Sequence, residues 1–183
     1  MRSGRWAFIY TLPTLMHMWE DILQIFADSP SQSRVVRFFL ENGFGVNENG
    51  RVVCNEIEIP ATQIAKATGT DRRVVDATAQ TILSTPDLRE VFLNMRVTPD
   101  ISRVAETLGK TVITVLPINA QQKGIIGSVV KVLTDHELGI RQIFVTDPLL
   151  SEEPKLVVIV DETVPPAVYE ELKSLSQVRK LII

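Results

Sequence analysis

The chain reads as an α+β protein in two parts, a helical one followed by a smaller one in which strands and helices alternate. Three observations predict this. Apolar residues recur at helical spacing from Trp19 to Met95, punctuated by turn residues. Between Val46 and Ile59 that rhythm gives way to a turn between extended pieces. From Val112 onward, β-rich runs are separated by two amphipathic helical patterns. The expected divisions are 18–96 for the helical domain, 97–110 for a connecting helix and 111–183 for the second domain.

Taken in order, Trp19, Ile22, Leu23 and Phe26 mark a first helix, broken at Ser29-Pro30-Ser31. A second starts near Ser33, with Val35, Val36, Phe39 and Leu40 on one face, and stops at Asn42-Gly43. Val46-Asn47-Glu48-Asn49-Gly50-Arg51 supplies the turn of a small β-hairpin whose second strand is Val52 to Ile59. Helices follow at about 61–68 and 71–83. Pro86-Asp87 opens another, with Leu88, Val91, Phe92 and Met95 facing inward. Asp100 to Leu108 reads as the connecting helix, ended by Gly109.

In the last part, strands are expected at 112–118, 140–145, 155–160 and 179–183. Helices are expected at 124–137 and from Pro165-Pro166 onward. The order β-α-β-β-α-β is the ferredoxin-like one, with both helices on one face of an antiparallel sheet. Leu156-Val157-Val158-Ile159-Val160 is apolar at every position, so this strand is buried on both faces. A second subunit or the N-terminal domain is expected over the other face, which points to a homodimer or higher homo-oligomer.

Bulk properties narrow the function. A net charge of −3 lacks the broad basic footprint of an indiscriminate nucleic-acid binder. One cysteine, Cys54, rules out an internal disulfide framework, and His17 and His136 form no metal-ligand spacing with it. No run approaches the roughly 20 apolar residues of a membrane-spanning helix. A soluble, cytoplasmic protein without cofactor or metal is the expectation. Residues 1–17 contain Arg2 and Arg5 before an apolar run interrupted by Pro13, without a small-residue cleavage site. They read as a start-site extension, poorly ordered, with Met16 or Met18 as initiator. No Ser/His/Asp or Cys/His constellation and no phosphate-cradling glycine loop is evident, so an enzyme is not expected.

Two stretches carry candidate sites. In Ala65-Lys66-Ala67-Thr68-Gly69-Thr70-Asp71-Arg72-Arg73-Val74-Val75, a small residue sits where two helices cross, and Gly69 provides the positive φ of a tight turn. Val75 points back into the crossing, beside Ile64. This spacing resembles the helix-turn-helix family, whose second helix enters the major groove. The resemblance implies DNA contacts from Thr70, Asp71, Arg72, Arg73, Asp76 and Gln80, with Thr70 capping the helix or bonding a phosphate. Ordinary three-helix packing and protein docking use the same spacing.

The second stretch is the loop Asn119-Ala120-Gln121-Gln122-Lys123-Gly124 ahead of a helix. Its glycine permits close backbone approach, and the free N–H groups of the helix start suit a carboxylate. Gln121-Gln122-Lys123-Gly124-Ile125-Ile126, then Leu133 and Leu138-Gly139-Ile140, resemble the ACT domain, a ligand-sensing module of amino-acid metabolism. ACT domains often carry Asp or Asn where this chain has Gln121, and Pro where it has Lys123. The resemblance implies an amino-acid ligand held by Asn119, Gln121, Gln122, Lys123, Gly124 and Ile125, at an interface of paired domains. Arg141 and Gln142 on the second strand would then contribute.

Ile59-Pro60, Arg72-Arg73-Val74-Val75, Ile140-Arg141-Gln142 and Asp147-Pro148 are together similar to an archaeal family of predicted regulators of amino-acid metabolism. Its members join an N-terminal helix-turn-helix to a C-terminal ACT domain. That implies an amino-acid-sensing transcription regulator acting on double-stranded DNA. The alternative is a regulatory subunit that senses an amino acid and docks onto a biosynthetic enzyme.

Overall fold

The computed structural model describes residues 18–183, so the expectations for residues 1–17 lie outside the described residues. The chain divides into two compact units, one ending at Val97 and the other running from Thr98 to Ile183. Among the described residues there are seven α-helices and two antiparallel sheets, an α+β architecture.

In the first unit, α1 (Met18–Ile25) leads to α2 (Pro30–Asn42). Turn residues follow α1, and Pro30 opens α2, since a helix's first residue has no N–H partner to lose. Helix α2 therefore begins a few residues earlier than its apolar periodicity suggests. At its end Gly43 takes φ 66°, and Phe44 N–H donates to Phe39 O at 2.9 Å, which pairs a carbonyl the helix would otherwise leave open.

The expected two-stranded hairpin is a three-stranded meander: β1 (Gly45–Val46), β2 (Val52–Cys54) and β3 (Ile57–Glu58). The stretch read as one strand from Val52 to Ile59 folds back at Asn55, which adopts φ 56°. Asparagine tolerates that conformation, and here its amide also holds the end of the unit. Asn55 Oδ1 accepts from Val97 N at 2.9 Å. The sheet packs close to α5 (Pro86–Asn94), where a Cβ on Gly45 would lie 2.6 Å from Phe92 O.

Helices α3 (Ala61–Thr68) and α4 (Arg72–Ser84) meet at Gly69, φ 62°. Thr70 N donates to Ala65 O at 2.9 Å across the turn. Ile64, Ala65 and Val75, the positions expected in the crossing, are all buried. Thr78 is buried as well, with its hydroxyl donating to Val74 O at 2.8 Å.

The second unit begins with a correction. Instead of a connecting helix, 100–101 is irregular, 102–105 is a turn, and Glu106–Leu108 forms a short 3-10 turn, ended by Gly109 at φ 69°. The periodicity of Ile101, Val104, Ala105 and Leu108 serves a different purpose from helix burial. Ala105 is fully buried while Val104 and Leu108 stay exposed. Gln142 ties the segment down, donating to Pro99 O at 2.7 Å and accepting from Ile101 N at 3.2 Å.

After this segment come β4 (Thr111–Pro117), α6 (Ile125–Asp135), β5 (Ile140–Val145), β6 (Leu156–Val160), α7 (Pro166–Ser174) and β7 (Val178–Ile182). The sheet order is β5-β6-β4-β7 with every neighbouring pair antiparallel, the ferredoxin-like order. Both helices lie on one face. Ile113, Val115, Leu156, Val158 and Val160 pack there against Val129, Leu133, Val168 and Leu172.

All five residues of β6 are buried, as their uniform apolarity requires. The opposite face was expected to lie under a second subunit or the N-terminal domain. Within the second unit, residues of the 98–109 segment border this face: Asp100, Ser102, Arg103 and Glu106 line a shallow trough with Val112, Thr114, Phe144 and Val157.

Candidate functional site

Helix α6 begins without a side-chain cap. Its N-cap is Gly124, at φ 92°, and the first intrahelical bond runs from Ser128 N to Gly124 O at 2.9 Å. The N–H groups of Ile125, Ile126 and Gly127 precede that bond, and they add to the positive end of the helix dipole. Glycine meets two requirements here. Its φ is one that other residues adopt only with strain, and the absent side chain leaves open space, since a Cβ there would meet nothing within 4 Å.

A cleft of about 350 Å³ opens at this helix start. One wall is the end of the loop before α6, with Gln122, Lys123 and Gly124; the other is the loop between β5 and β6, with Thr146, Pro148 and Pro154. Pro117, Ile125, Val145 and Leu156 make much of the remainder apolar. A mostly apolar cleft with a few polar groups, here Gln122 and Lys123 on one wall and Thr146 and Lys155 on the other, is the usual form of a small-molecule site. Lys123 is exposed and has no ion-pair partner among the described residues.

Of the ligand residues expected from sequence, Gln122, Lys123, Gly124 and Ile125 line this cleft. Asn119 and Gln121 border an adjoining, shallower cleft of about 580 Å³ together with Glu152, Glu153 and Arg179. Asn119 also shapes the loop, its Oδ1 accepting from Gln121 N at 3.0 Å.

Arg141 and Gln142 are not brought to the cleft within one chain. They sit at the start of β5, whereas the cleft touches its end at Val145, about 13 Å away at the usual rise of a strand. Gln142 is engaged with Pro99 and Ile101. The guanidinium of Arg141 donates to both oxygens of Asp161, at 2.9 and 3.1 Å.

Sequence reading missed the second wall. Thr146, Pro148 and Pro154 read as turn residues between strands, and only the pairing of β5 with β6 carries that turn back over the start of α6. The doublet Asp147-Pro148 and Pro154 were the available signal.

Asp161 also accepts from Lys110 Nζ at 2.7 Å. Lys110 and then Arg141 hold its carboxyl below the ordinary value of 3.8. A carboxylate whose folded pKa is depressed stabilises the fold above its unfolded pKa, and that contribution is lost as pH falls through the folded value. Asp161→Asn is therefore expected to lower stability at neutral pH. The gap from wild type should narrow as pH drops below about 4. Urea titrations across that range measure it, and a gap independent of pH would contradict the assignment.

On the helical unit, Asp71 caps α4, accepting from Arg73 N at 2.8 Å, the main reason its carboxyl lies below 3.8. The cap expected of Thr70 thus falls to Asp71, and Thr70 shares a hydrogen bond with Thr68 at 2.8 Å. Arg73 also pairs with Asp71 at 3.3 Å, and Arg72 with Asp76 at 3.7 Å. Both arginines are well exposed. Gln80 lies over the meander, where a Cβ on Gly50 would come within 2.5 Å of its Nε2. Thr70, Asp71, Arg72 and Arg73 thus gather at the start of α4, with Asp76 one turn on and Gln80 at a further turn, against the meander.

The fold defines the chain as a two-unit α+β protein with a candidate small-molecule cleft in the second unit and a short-turn helix pair in the first. No family model matches the chain, and no curated relative matches it. Among solved structures it is similar to that of PH0061, at 11% identity over 84% of this chain and 88% of that one, with a TM-score of 0.28. It is also similar to an AsnC family transcriptional regulator from Agrobacterium tumefaciens, at 12% identity over 84% and 86% of the chains, with a TM-score of 0.27. At such scores the functional reading rests on the chain's own residues. Among the described residues no helix is long and apolar enough to cross a membrane, and no cluster of three metal-ligating side chains occurs.

Proposed function

We propose that the protein is an amino-acid-sensing regulator. In this reading an ACT-type C-terminal unit binds the ligand, and a helix-turn-helix in the N-terminal unit engages DNA. The observation that carries it is the cleft at the uncapped start of α6, where free backbone N–H groups and Lys123 meet apolar walls. A carboxylate suits the polar end, and an aliphatic stem suits the remainder.

Pairing of two copies supplies the part of the site that one chain lacks. Strand β5 is at the edge of its sheet, and Ile143 and Val145 on it are exposed. An unpaired edge is a template for another strand. Antiparallel pairing of two β5 edges sets the start of one strand beside the end of the other. Arg141 of a second copy would then lie near the cleft. Ligand bound there would bias the orientation of the pair, and with it the spacing of two α4 helices on DNA.

Thermal unfolding with each of the twenty amino acids at millimolar concentration tests the sensor. A ligand at a hundredfold its dissociation constant adds about 2.7 kcal/mol of stability. The expected result is a selective rise in Tm that Gly124→Asp abolishes, because a carboxylate placed at the cleft mouth repels the ligand's own. If no amino acid raises the Tm, the reading fails.

One observation favours a second reading, in which the helical unit docks onto a protein. The exposed arginines of α4 are each paired with an aspartate on the same helix or its cap. Salt separates the two: phosphate contacts make affinity fall steeply with ionic strength.

A further inference from the structure

We infer that the open face of the second unit's sheet is an interface between two copies of this chain, which meet across the shallow trough on it. The inference does not rest on the cleft at α6 being a ligand site, nor on pairing through β5. Its basis is a set of charges without partners around an apolar surface. The trough has a volume of about 440 Å³. Val157 lines it and is buried, and Phe144, paired with Val157 across the strands, is half-buried. At the end of β7, Ile182 and Ile183 line it while 43% and 62% exposed. Asp100, Arg103, Glu106 and Lys155 bring charge to the same trough. None of these four forms an ion pair among the described residues. Asp100 Oδ1 accepts from Ser102 N at 2.8 Å, a bond within its own turn.

The signs of these charges select the occupant. Two acids and two bases leave the trough without net charge, so neither an acidic nor a basic partner is favoured. A small zwitterion offers one charge of each sign and would leave two of the four groups idle. A surface that matches itself needs this mixed composition. In a two-fold contact the same patch meets its own copy, and a patch of one sign would repel it. Here a second copy brings bases for the first copy's acids and acids for its bases. Its Phe144, Ile182 and Ile183 supply apolar area to cover the same residues opposite. Removal of that area from water drives association, whereas exposed charge pairs fix the orientation and add little each.

Sedimentation velocity over a concentration series tests the interface, on the full chain as wild type, Glu106→Lys, Lys155→Glu and Val145→Lys. Glu106 and Lys155 are exposed and unpaired, so their replacement leaves the fold intact, which the melting curve checks. Each of the two charge reversals is expected to weaken association about tenfold. An exposed pair is worth up to about fivefold, and two-fold symmetry loses it twice. Mixing the Glu106→Lys chain with the Lys155→Glu chain should restore association, because their patches then carry opposite net charge. A wild type that stays monomeric would overturn the inference, as would charge reversals that associate like wild type or a mixture that recovers nothing. Val145→Lys separates this surface from the β5 edge. Association lost in Val145→Lys but kept in both charge reversals would leave the edge pairing standing and sink the face. Loss in the charge reversals alone would do the opposite.

Discussion

Replacing Phe92 by alanine is expected to lower the stability of the helical unit by about 3–5 kcal/mol. Phe92 is fully buried, and its ring meets that of Phe39 edge-on, with centroids 6.3 Å apart and planes at 69°. Edge-to-face pairs add about 0.5–1.5 kcal/mol beyond the area they bury. The site has little room to collapse into the cavity. The Phe92 carbonyl is held against β1, so close that a Cβ on Gly45 would reach 2.6 Å from it. Phe38 is the comparison, since it pairs edge-on with Phe44 at 5.7 Å but is only half-buried. Phe38→Ala should cost clearly less. Urea denaturation followed by circular dichroism ranks the two. A Phe92→Ala variant within 1 kcal/mol of wild type would refute the packing of α5 on the meander.

The elements that the sequence displayed well are those whose burial pattern is local. Strand β6 is buried at all five positions, as its apolar run requires, and the α3–α4 crossing buries Ile64, Ala65 and Val75 at the spacing a Gly69 turn imposes. The failures share another cause. Segment 98–109 carries helical periodicity, yet Val104 and Leu108 stay exposed, and Asp100, Ser102, Arg103 and Glu106 border a sheet face that is assembled only when distant strands pair. Val52 to Ile59 alternates like one strand, and only the left-handed backbone of Asn55 folds it in two. The candidate site divides the same way. Gln122, Lys123 and Gly124 precede a helix and could be read from the chain, whereas Pro148 and Pro154 reach the cleft through strand pairing. Arg141 shows the limit most clearly. Chain order puts it on the second strand of its domain, and within one chain its position at the start of β5 gives it to Asp161, so any place beside a cleft depends on a second copy that the chain alone does not display.

Helix α6 links fold to function, and two substitutions on it separate the links. Leu133 is fully buried in the core between helix and sheet, so Leu133→Ala is expected to cost about 2–5 kcal/mol. The same helix offers a contrasting position near its start. Ile126 borders the cleft and is 46% exposed, so Ile126→Ala removes few core contacts. Its stability should stay within about 0.5 kcal/mol of wild type, as for most surface replacements. Ligand affinity should behave in the opposite order. Ile126→Ala strips apolar wall from the cleft and weakens the amino acid directly. Leu133→Ala leaves the cleft lining in place, so under conditions where it remains folded it should bind nearly as wild type does. Denaturation and calorimetric titration of both variants give four numbers. Equal losses of affinity in the two would mean that ligand is read through the rigidity of α6 as a whole, and that the cleft at its start is not the binding surface.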